Sequence, residues 1–382
     1  MTVKFLNDIV ALRFSPGRAI LLVGLLMLAA CATQQPTNFT PPPLQNLGPE
    51  IQVVEVDILE YTPKMDEFLE RYILKYSDLH TRLYLLMNSI TPNGVLGFRY
   101  DAALTLTAKE TFERHTGNCI GFANMLIVLA RRAGIKAHYQ EVFRRPEWTT
   151  REDTVLLIKH INVVLEIPGY TFVVDISGVK INPNMRQRII KDSYAKALYW
   201  NNIGAEALLD GDLPTAHAYL AKAIDTNPLL TDAWVNIGVV LGRNKQLDDA
   251  EFALQNALQI DTGEHAAMSN LYEVYLAQED LEAAAGLEEK VNKYRRTNPY
   301  YLLKLSEAAL EEANFEESIS LLQRAIRKQR KDHHLHFVLA KTQYLSGEIE
   351  AAEGSLVRAR KLAPANMLAY YRQPLEQLVA EE

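Results

Sequence analysis

The sequence predicts an α+β domain followed by an all-α repeat solenoid. Residues 49–195 combine helical periodicity with runs of β-branched residues, which predicts helices and strands in one domain. From residue 197 the strand signals end, and a helical pattern repeats every 34 residues. The chain of 382 residues is long enough for two or three domains with sizeable cores.

Composition narrows the class of protein. The chain is 48% hydrophobic and 23% charged, which is typical of a soluble globular protein. Its formal net charge is −7 and no basic stripe stands out, so the sequence gives no support for binding to nucleic acid.

The N-terminus is typical of a targeting segment. Lys4, Arg13 and Arg18 precede an apolar stretch over residues 19–30, which is too short for a comfortable membrane span. The stretch ends in Leu-Ala-Ala-Cys at Cys31, which resembles the lipobox of bacterial lipoproteins. That resemblance implies that the preceding segment is a signal peptide and that Cys31 is lipidated. An ordinary signal peptide cleaved nearby, or an uncleaved anchor, is the alternative.

The same resemblance implies a location and a membrane contact. Residues 1–30 would be removed, and the lipid on Cys31 would hold the mature chain to the membrane of the bacterial envelope. Ala32 follows the cysteine in place of an aspartate, which in Gram-negative lipoproteins implies the outer membrane, facing the periplasm. Residues 31–48 are rich in Thr, Gln and Pro, and they predict a disordered, extended tether.

Cysteine usage singles out one thiol. The chain has two cysteines, so lipidation of Cys31 leaves Cys119 without an intramolecular disulfide partner. An unpaired thiol in an oxidising compartment is a liability unless it is buried or used. Because no second thiol and no close metal spacing exist, we expect no structural zinc site and no cofactor.

Local patterns predict the elements of the α+β domain. Apolar spacing predicts helices over 65–88 and 104–114, and a buried helix over 119–133 that ends at Gly134. The predicted strands are 136–143, 154–167 and 170–177.

The last two strands are separated by Pro168-Gly169, which predicts a hairpin. A symmetric turn there pairs Ile167 with Tyr170 and Asn162 with Asp175. Because strand residues alternate between faces, His160 then shares a face with Asp175 as its diagonal neighbour. Diagonal Cβ atoms lie about 7–8 Å apart or somewhat less, which lets a carboxylate meet an imidazole.

The opposite face of this hairpin is wholly apolar, as a core face should be. Its residues are Ile161, Val163, Leu165, Phe172, Val174 and Ile176. A slip of one residue would place Asp175 among them, so the pattern favours the symmetric register.

Five repeat units start near residues 197, 231, 265, 299 and 333. Small residues recur at the eighth, twentieth and twenty-seventh positions, where close packing of two helices requires them. At the twentieth position they are Ala216, Ala250, Ala284, Ser318 and Ala352.

This pattern resembles the tetratricopeptide repeat (TPR), a helix–turn–helix unit of the same length. The resemblance covers 197–366 and implies a solenoid whose groove binds a protein or peptide partner. The third and fourth units depart most from it, since Tyr272 replaces a small residue and Glu288 occupies a usually apolar position. Residues 367–382 are predicted to form a C-terminal capping helix.

Three segments of the first domain resemble the core of the transglutaminase-like superfamily. They are Thr105–Phe112 (TLTAKETF), Gly117-Asn118-Cys119 and Ala130–Ile135 (ARRAGI). The resemblance extends over about residues 95–180, and the domain is expected to span 49–195. It implies a papain-like fold with a cysteine at a helix start, then a histidine and an aspartate on successive strands. Here these are Cys119, His160 and Asp175, in the family's order.

The roles that follow are those of a cysteine nucleophile. Asn118 is predicted to cap the helix, so that its dipole favours the Cys119 thiolate, and a protonated His160 would favour it further. Asp175 would orient the imidazole. The backbone N–H of Cys119 is a candidate oxyanion donor, and the sequence assigns no second one.

Each of these residues also has an ordinary structural explanation. Cys119 on an apolar helix could be a core residue, His160 a satisfied strand histidine, and Asp175 a turn or surface carboxylate. His115, in the loop before the cysteine, and His138, on a strand of its own, are rival bases.

Two functional hypotheses follow. The first is an envelope-anchored lipoprotein that forms a thioester at Cys119 on a peptide or amide carbonyl; water would give hydrolysis, and an amine would give cross-linking. The resemblance to bacterial members of the superfamily favours hydrolysis. The alternative is a non-enzymatic TPR scaffold or assembly factor with a degenerate transglutaminase-like domain.

Overall fold

The computed structural model describes the chain in several segments. They are residues 40–46, 51–143, 148–151, 154–157, 160–176, 186–364, 367–373 and 376–377. The predicted signal peptide, Cys31 and residues 32–39 lie outside the described residues, and so do residues 47 and 48 of the predicted tether. Within the described segments, none of the helices combines the length and the hydropathy that crossing a membrane requires.

The first helices are shorter than the sequence predicted. Helix α1 covers Pro63–Tyr72 and helix α2 covers Leu79–Ile90, so the prediction of one helix over 65–88 is wrong. The Asp78 carboxylate accepts a hydrogen bond from the Thr81 N–H at 2.7 Å and starts a new helix. The spacing of apolar residues does not reveal this break between the two helices.

Two further helices lead to the sheet. Helix α3 covers Ala108–Arg114 and begins at a capping box in which Thr107 and Glu110 satisfy each other's backbone N–H groups. Helix α4 covers Cys119–Arg132 and ends just before Gly134, whose φ of +82° suits glycine.

The strands form one main sheet and two small ones. Strand β1 (Arg99–Tyr100) pairs in parallel with β2 (Thr116–Gly117). The main sheet is antiparallel with the order β7-β6-β3-β8. The strands of the main sheet and of the remaining hairpin are β3 (Lys136–Phe143), β4 (Trp148–Arg151), β5 (Thr154–Leu157), β6 (His160–Ile167), β7 (Tyr170–Val174) and β8 (Arg186–Ile190).

The predicted register of the β6–β7 hairpin is confirmed. Ile167 pairs with Tyr170, and the ladder continues to the pair of Val163 and Val174. The predicted core face is buried on β6, where Val163 is fully enclosed, but Phe172 on β7 is 40% exposed. Strand β7 lies at the edge of the sheet, where it pairs with β6 on one side.

Helix α4 is fixed to the sheet by a buried hydrogen-bond network. The Tyr139 hydroxyl on β3 donates to Asn124 Oδ1 on α4 at 2.6 Å, and Asn124 Nδ2 donates to the Leu106 carbonyl at 3.1 Å. Because these groups are buried, they need partners, and each is satisfied by another element of the domain. The network sets how α4 lies across β3.

From residue 192 onward the chain forms antiparallel pairs of helices. They are α5 (Asp192–Leu209), α6 (Leu213–Thr226), α7 (Thr231–Arg243), α8 (Leu247–Ile260), α9 (His265–Ala277), α10 (Leu281–Arg295), α11 (Pro299–Glu311), α12 (Phe315–Lys328), α13 (His333–Leu345) and α14 (Ile349–Leu362). Four of the first helices of a pair begin at the predicted repeat starts, at residues 231, 265, 299 and 333.

Small residues allow the paired helices to approach. A Cβ atom on Gly204 would lie 2.7 Å from Leu220 Cγ, and one on Gly238 would lie 2.7 Å from Leu254 Cγ. All five small residues at the twentieth repeat position are buried. In the third unit, one of the two that depart most from the pattern, Glu288 is exposed and the buried residues of helix α10 are Ala284 and Val291.

Segments outside the repeats contact both the first and the last repeats. Residues 40–46 of the predicted tether lie against the first two repeats, where the main chain of Pro42, Pro43 and Gln45 hydrogen-bonds to His217, Gln246 and Asn244. At the other end, helix α15 (Leu368–Tyr371) lies within the predicted cap, and residues 376 and 377 are helical as well. Its Tyr371 ring stacks on Phe337 with ring centroids 4.8 Å apart.

The close helix approach at Gly238 gives a test. We expect Gly238→Ala to lower the free energy of unfolding by about 1–2 kcal/mol, because overpacking against Leu254 outweighs the gain in helix propensity. In Gly354→Ala, a Cβ meets open space within α14, and we expect a gain of about 0.5–1 kcal/mol. Denaturant midpoints of both variants check this, and equal shifts of one sign would contradict it.

Candidate active site

The start of α4 is built by an asparagine cap. Asn118 Oδ1 accepts hydrogen bonds from the backbone N–H groups of Ile120 and Gly121, both at 3.1 Å, as the sequence predicted. A Cβ on Gly121 would lie 2.9 Å from Thr111 Oγ1, so glycine lets α4 pack closely on α3. Together these contacts fix the first turn that carries Cys119.

Cys119 differs from the rest of its helix. The residues from Ile120 to Ala130 are all buried, whereas Cys119 is half-buried. The backbone N–H of Ile161, the residue that follows His160 on β6, is near enough to the thiol to lower its pKa. The thiol therefore lies beside the start of β6, in a residue that is less enclosed than those that follow it on the helix.

His160 and Asp175 are in direct contact. His160 Nε2 is bonded to Asp175 Oδ2, which is the contact that the hairpin register predicted. The His160 side chain is 4% exposed and the Asp175 side chain 11% exposed, so water screens this contact little. Because Nε2 faces the carboxylate, Nδ1 is the ring nitrogen left to face a thiol.

The electrostatics of Cys119 differ from the expectation. Burial is the largest influence and raises the pKa of the thiol. The backbone N–H groups of Ile161 and Ile120 and that of Cys119 itself lower the pKa, and the negative charge of Asp175 raises it. The helix start thus stabilises the thiolate as predicted, but the cost of desolvating a charge outweighs it, and the thiol is favoured.

Tyr100 is a neighbour of the site that the sequence did not reveal. It lies on β1 opposite Gly117, two residues before Cys119. Burial raises the pKa of its phenol to about 12, and the charges of Cys119, Asp175 and Asp101 contribute. A strand of two residues leaves no periodic signal, so only the tertiary structure could identify Tyr100.

The rival bases occupy other places. His138 pairs with Val164 and lies four residues along β3 from Val142, the partner of His160. At about 3.3 Å per strand residue, His138 lies about 13 Å along the sheet from the position of His160. His115 is exposed and ends α3 in a left-handed conformation, and among the described contacts no hydrogen bond or ion pair joins its ring to the site.

A metal site in the described segments would need several ligating side chains close together. Within these segments, no group of three or more His, Cys, Asp and Glu side chains is placed to hold a metal ion.

Comparison with known families agrees with the fold. The model of the transglutaminase-like superfamily matches residues 88–175, and that of the tetratricopeptide repeat matches 203–267 and 303–371. The chain therefore contains a transglutaminase-like domain followed by TPR repeats. No curated protein shows a significant match to the chain.

Solved structures similar to this chain include TPR proteins. The MamA RS-1 double mutant is 16% identical with a TM-score of 0.29, and the match covers 45% of this chain and 95% of MamA. MamA from Desulfovibrio magneticus RS-1, from residue 41 to its end, is 17% identical with a TM-score of 0.29, covering 45% and 96%. YrrB, described as a TPR protein with an unusual peptide-binding site, is 16% identical with a TM-score of 0.27, covering 46% and 91%.

The raised pKa of Cys119 predicts a pH profile. Alkylation of Cys119 by iodoacetamide should have its midpoint above about 8.5, the pKa of a free thiol. Because the folded pKa exceeds the unfolded one, the buried neutral thiol stabilises the fold below about pH 8.5. That contribution is lost as the pH rises through the folded pKa. Peptide-level mass spectrometry separates Cys119 from Cys31, and a midpoint below that of a free cysteine peptide would contradict the prediction.

Proposed function

We propose that the transglutaminase-like domain is a cysteine hydrolase that cleaves peptide or amide bonds through a thioester at Cys119. The observation that carries this is the contact of His160 with Asp175 beside the Cys119 sulfur. A thiol, an imidazole and a carboxylate in this order are the parts of an activated nucleophile.

The geometry suggests how a proton would move. Since the Cys119 pKa is raised, the thiol is the resting form, and His160 Nδ1 would take its proton as the sulfur attacks the carbonyl carbon. The carbonyl oxygen becomes negative, and the C–N bond then breaks as His160 returns the proton to the leaving amine. Water, deprotonated by His160, would attack the thioester and release the acid and the thiol.

The remaining groups have supporting roles. Asp175 accepts from the Nε2–H of His160, which fixes the tautomer with a free Nδ1 and stabilises the imidazolium. The backbone N–H of Cys119 and the neutral Tyr100 phenol are the donors we assign to the oxyanion.

The repeats and the N-terminus complete the proposal. We assign a protein or peptide partner to the TPR solenoid, whose helices match the repeat family. We further propose that Cys31 carries lipid and holds the chain to the outer membrane, facing the periplasm. Mass spectrometry of the mature chain tests this: an unmodified Cys31, or a mature chain that begins elsewhere, would exclude the lipid anchor.

A second candidate is a non-enzymatic scaffold with a degenerate domain. The burial of His160 favours it, since a base that is 3% exposed is poorly reached by water. In this case the His160–Asp175 pair would only stabilise the fold of the sheet.

Cleavage of a peptide library separates the two candidates. Full-length wild type should generate new N-termini, which mass spectrometry identifies. Cys119→Ala and His160→Ala should each reduce cleavage about 10³-fold or more, because both act in the same step. Asp175→Asn should also reduce it strongly, because it removes the group that fixes the tautomer.

The control is His138→Ala, which alters the rival base on β3 and should cleave like wild type. Adding a fluorescent primary amine tests transfer: incorporation in place of cleavage would assign cross-linking. No cleavage and no incorporation by a folded wild type would favour the scaffold.

A further inference from the structure

A chain of hydrogen bonds joins the first solenoid helix to the start of α4. Asn118 Nδ2 donates to Thr105 Oγ1 at 2.7 Å, and Thr105 Oγ1 donates to Glu206 Oε1 at 2.8 Å. Glu206 lies on α5, 101 residues along the chain from Thr105. Thr105 is 9% exposed and Asn118 5% exposed, so water does not substitute easily for these partners.

The Glu206 carboxylate fixes the direction of both hydrogen bonds. A carboxylate only accepts, so the Thr105 hydroxyl must donate its single hydrogen to Glu206. Its lone pairs are then left to accept from Asn118 Nδ2. With Nδ2 turned toward Thr105, the amide oxygen faces the N–H groups of Ile120 and Gly121.

A second hydrogen bond holds Asn118 in place. The backbone N–H of Asn118 donates to the Leu104 carbonyl at 2.8 Å, so residues 104 and 105 hold both the main chain and the side chain of Asn118. Segment 104–106 also accepts a hydrogen bond from Asn124, six residues after Asn118. The start of α4 therefore rests on this segment, and Glu206 supports the segment from outside the domain.

We propose that Thr105 and Glu206 are positioning residues for Cys119, and that the first repeat helix is a structural part of the active site. Through Thr105, the Glu206 carboxylate sets the orientation of the Asn118 amide and thereby the first turn of α4. This deepens the proposed function, because it assumes that Cys119 is the nucleophile. It also gives the solenoid a route to the site: a partner that shifts α5 would alter the support of Asn118.

The experiment compares variants of the full-length chain by amide hydrogen exchange at Ile120 and Gly121. Thr105→Val removes the hydroxyl while keeping the shape, and both amides should exchange about 2- to 30-fold faster, as after loss of a helix cap. Thr105→Ser keeps the hydroxyl and should restore slow exchange. A general loss of stability would instead speed exchange throughout the domain.

A matched pair of variants also tests the role of Glu206. Glu206→Gln retains an oxygen that can accept from Thr105 and should resemble wild type, whereas Glu206→Ala should resemble Thr105→Val. Glu289→Ala, which removes an exposed carboxylate from α10, is the control for charge loss on the solenoid and should change neither amide. Unchanged exchange in Glu206→Ala would overturn the assignment of Glu206.

A double-mutant cycle completes the test. If Thr105 acts through Asn118, Thr105→Val should add nothing to exchange in the Asn118→Ala background, and additive effects would overturn the relay. The alkylation rate of Cys119 gives a second readout: a frayed first turn exposes the thiol, so its profile should move toward that of a free thiol. These readouts need no substrate, so failure of the relay and failure of the hydrolase proposal are observed separately.

Discussion

The contact of the first turn of α4 with the start of β6 is what the site depends on. It places the Cys119 thiol near the Ile161 N–H, and His160 is the residue before Ile161 on β6. The hairpin register then adds Asp175 from β7. A shift of α4 by one residue, or of the hairpin by one register position, would separate the three groups. Much of the buried polar network of the domain, including the Tyr139–Asn124 bond, fixes one of these two relations.

Burial determines both the strength of the His160–Asp175 interaction and the resting protonation state of Cys119. Low exposure preserves the interaction of His160 with Asp175, since water screens it little. The same burial disfavours a charge on Cys119, so its pKa rises in spite of three backbone N–H groups. A resting thiol with an oriented base nearby is consistent with proton transfer during attack rather than a standing ion pair. It also makes the thiol less reactive.

The solenoid is joined to the first domain over several surfaces. Arg131 at the end of α4 pairs with Asp192 at the start of α5 at 2.6 Å. Glu55 is bonded to Lys196 on α5 and to Lys222 on α6, and residues 42–45 hydrogen-bond across the first two repeats. Exposed pairs of this kind contribute little stability individually. Because they are several and are spread over the surface, together they nevertheless fix α5 against the domain. This fixed position gives the contact of Glu206 with Thr105 a defined geometry.

The sequence by itself determined the class of fold, four of the five repeat starts, the β6–β7 register and the Asn118 cap at the start of α4. Each of these rests on local periodicity or on turn and capping chemistry, which a short segment carries within itself. Only the tertiary structure decided the break between α1 and α2, the exposure of β7, the rise of the Cys119 pKa and the neighbours Tyr100, Thr105 and Glu206. These depend on which distant segments exclude water from a group and which polar atoms they bring to it. Such relations form between residues as far apart as Thr105 and Glu206, and no local pattern records them.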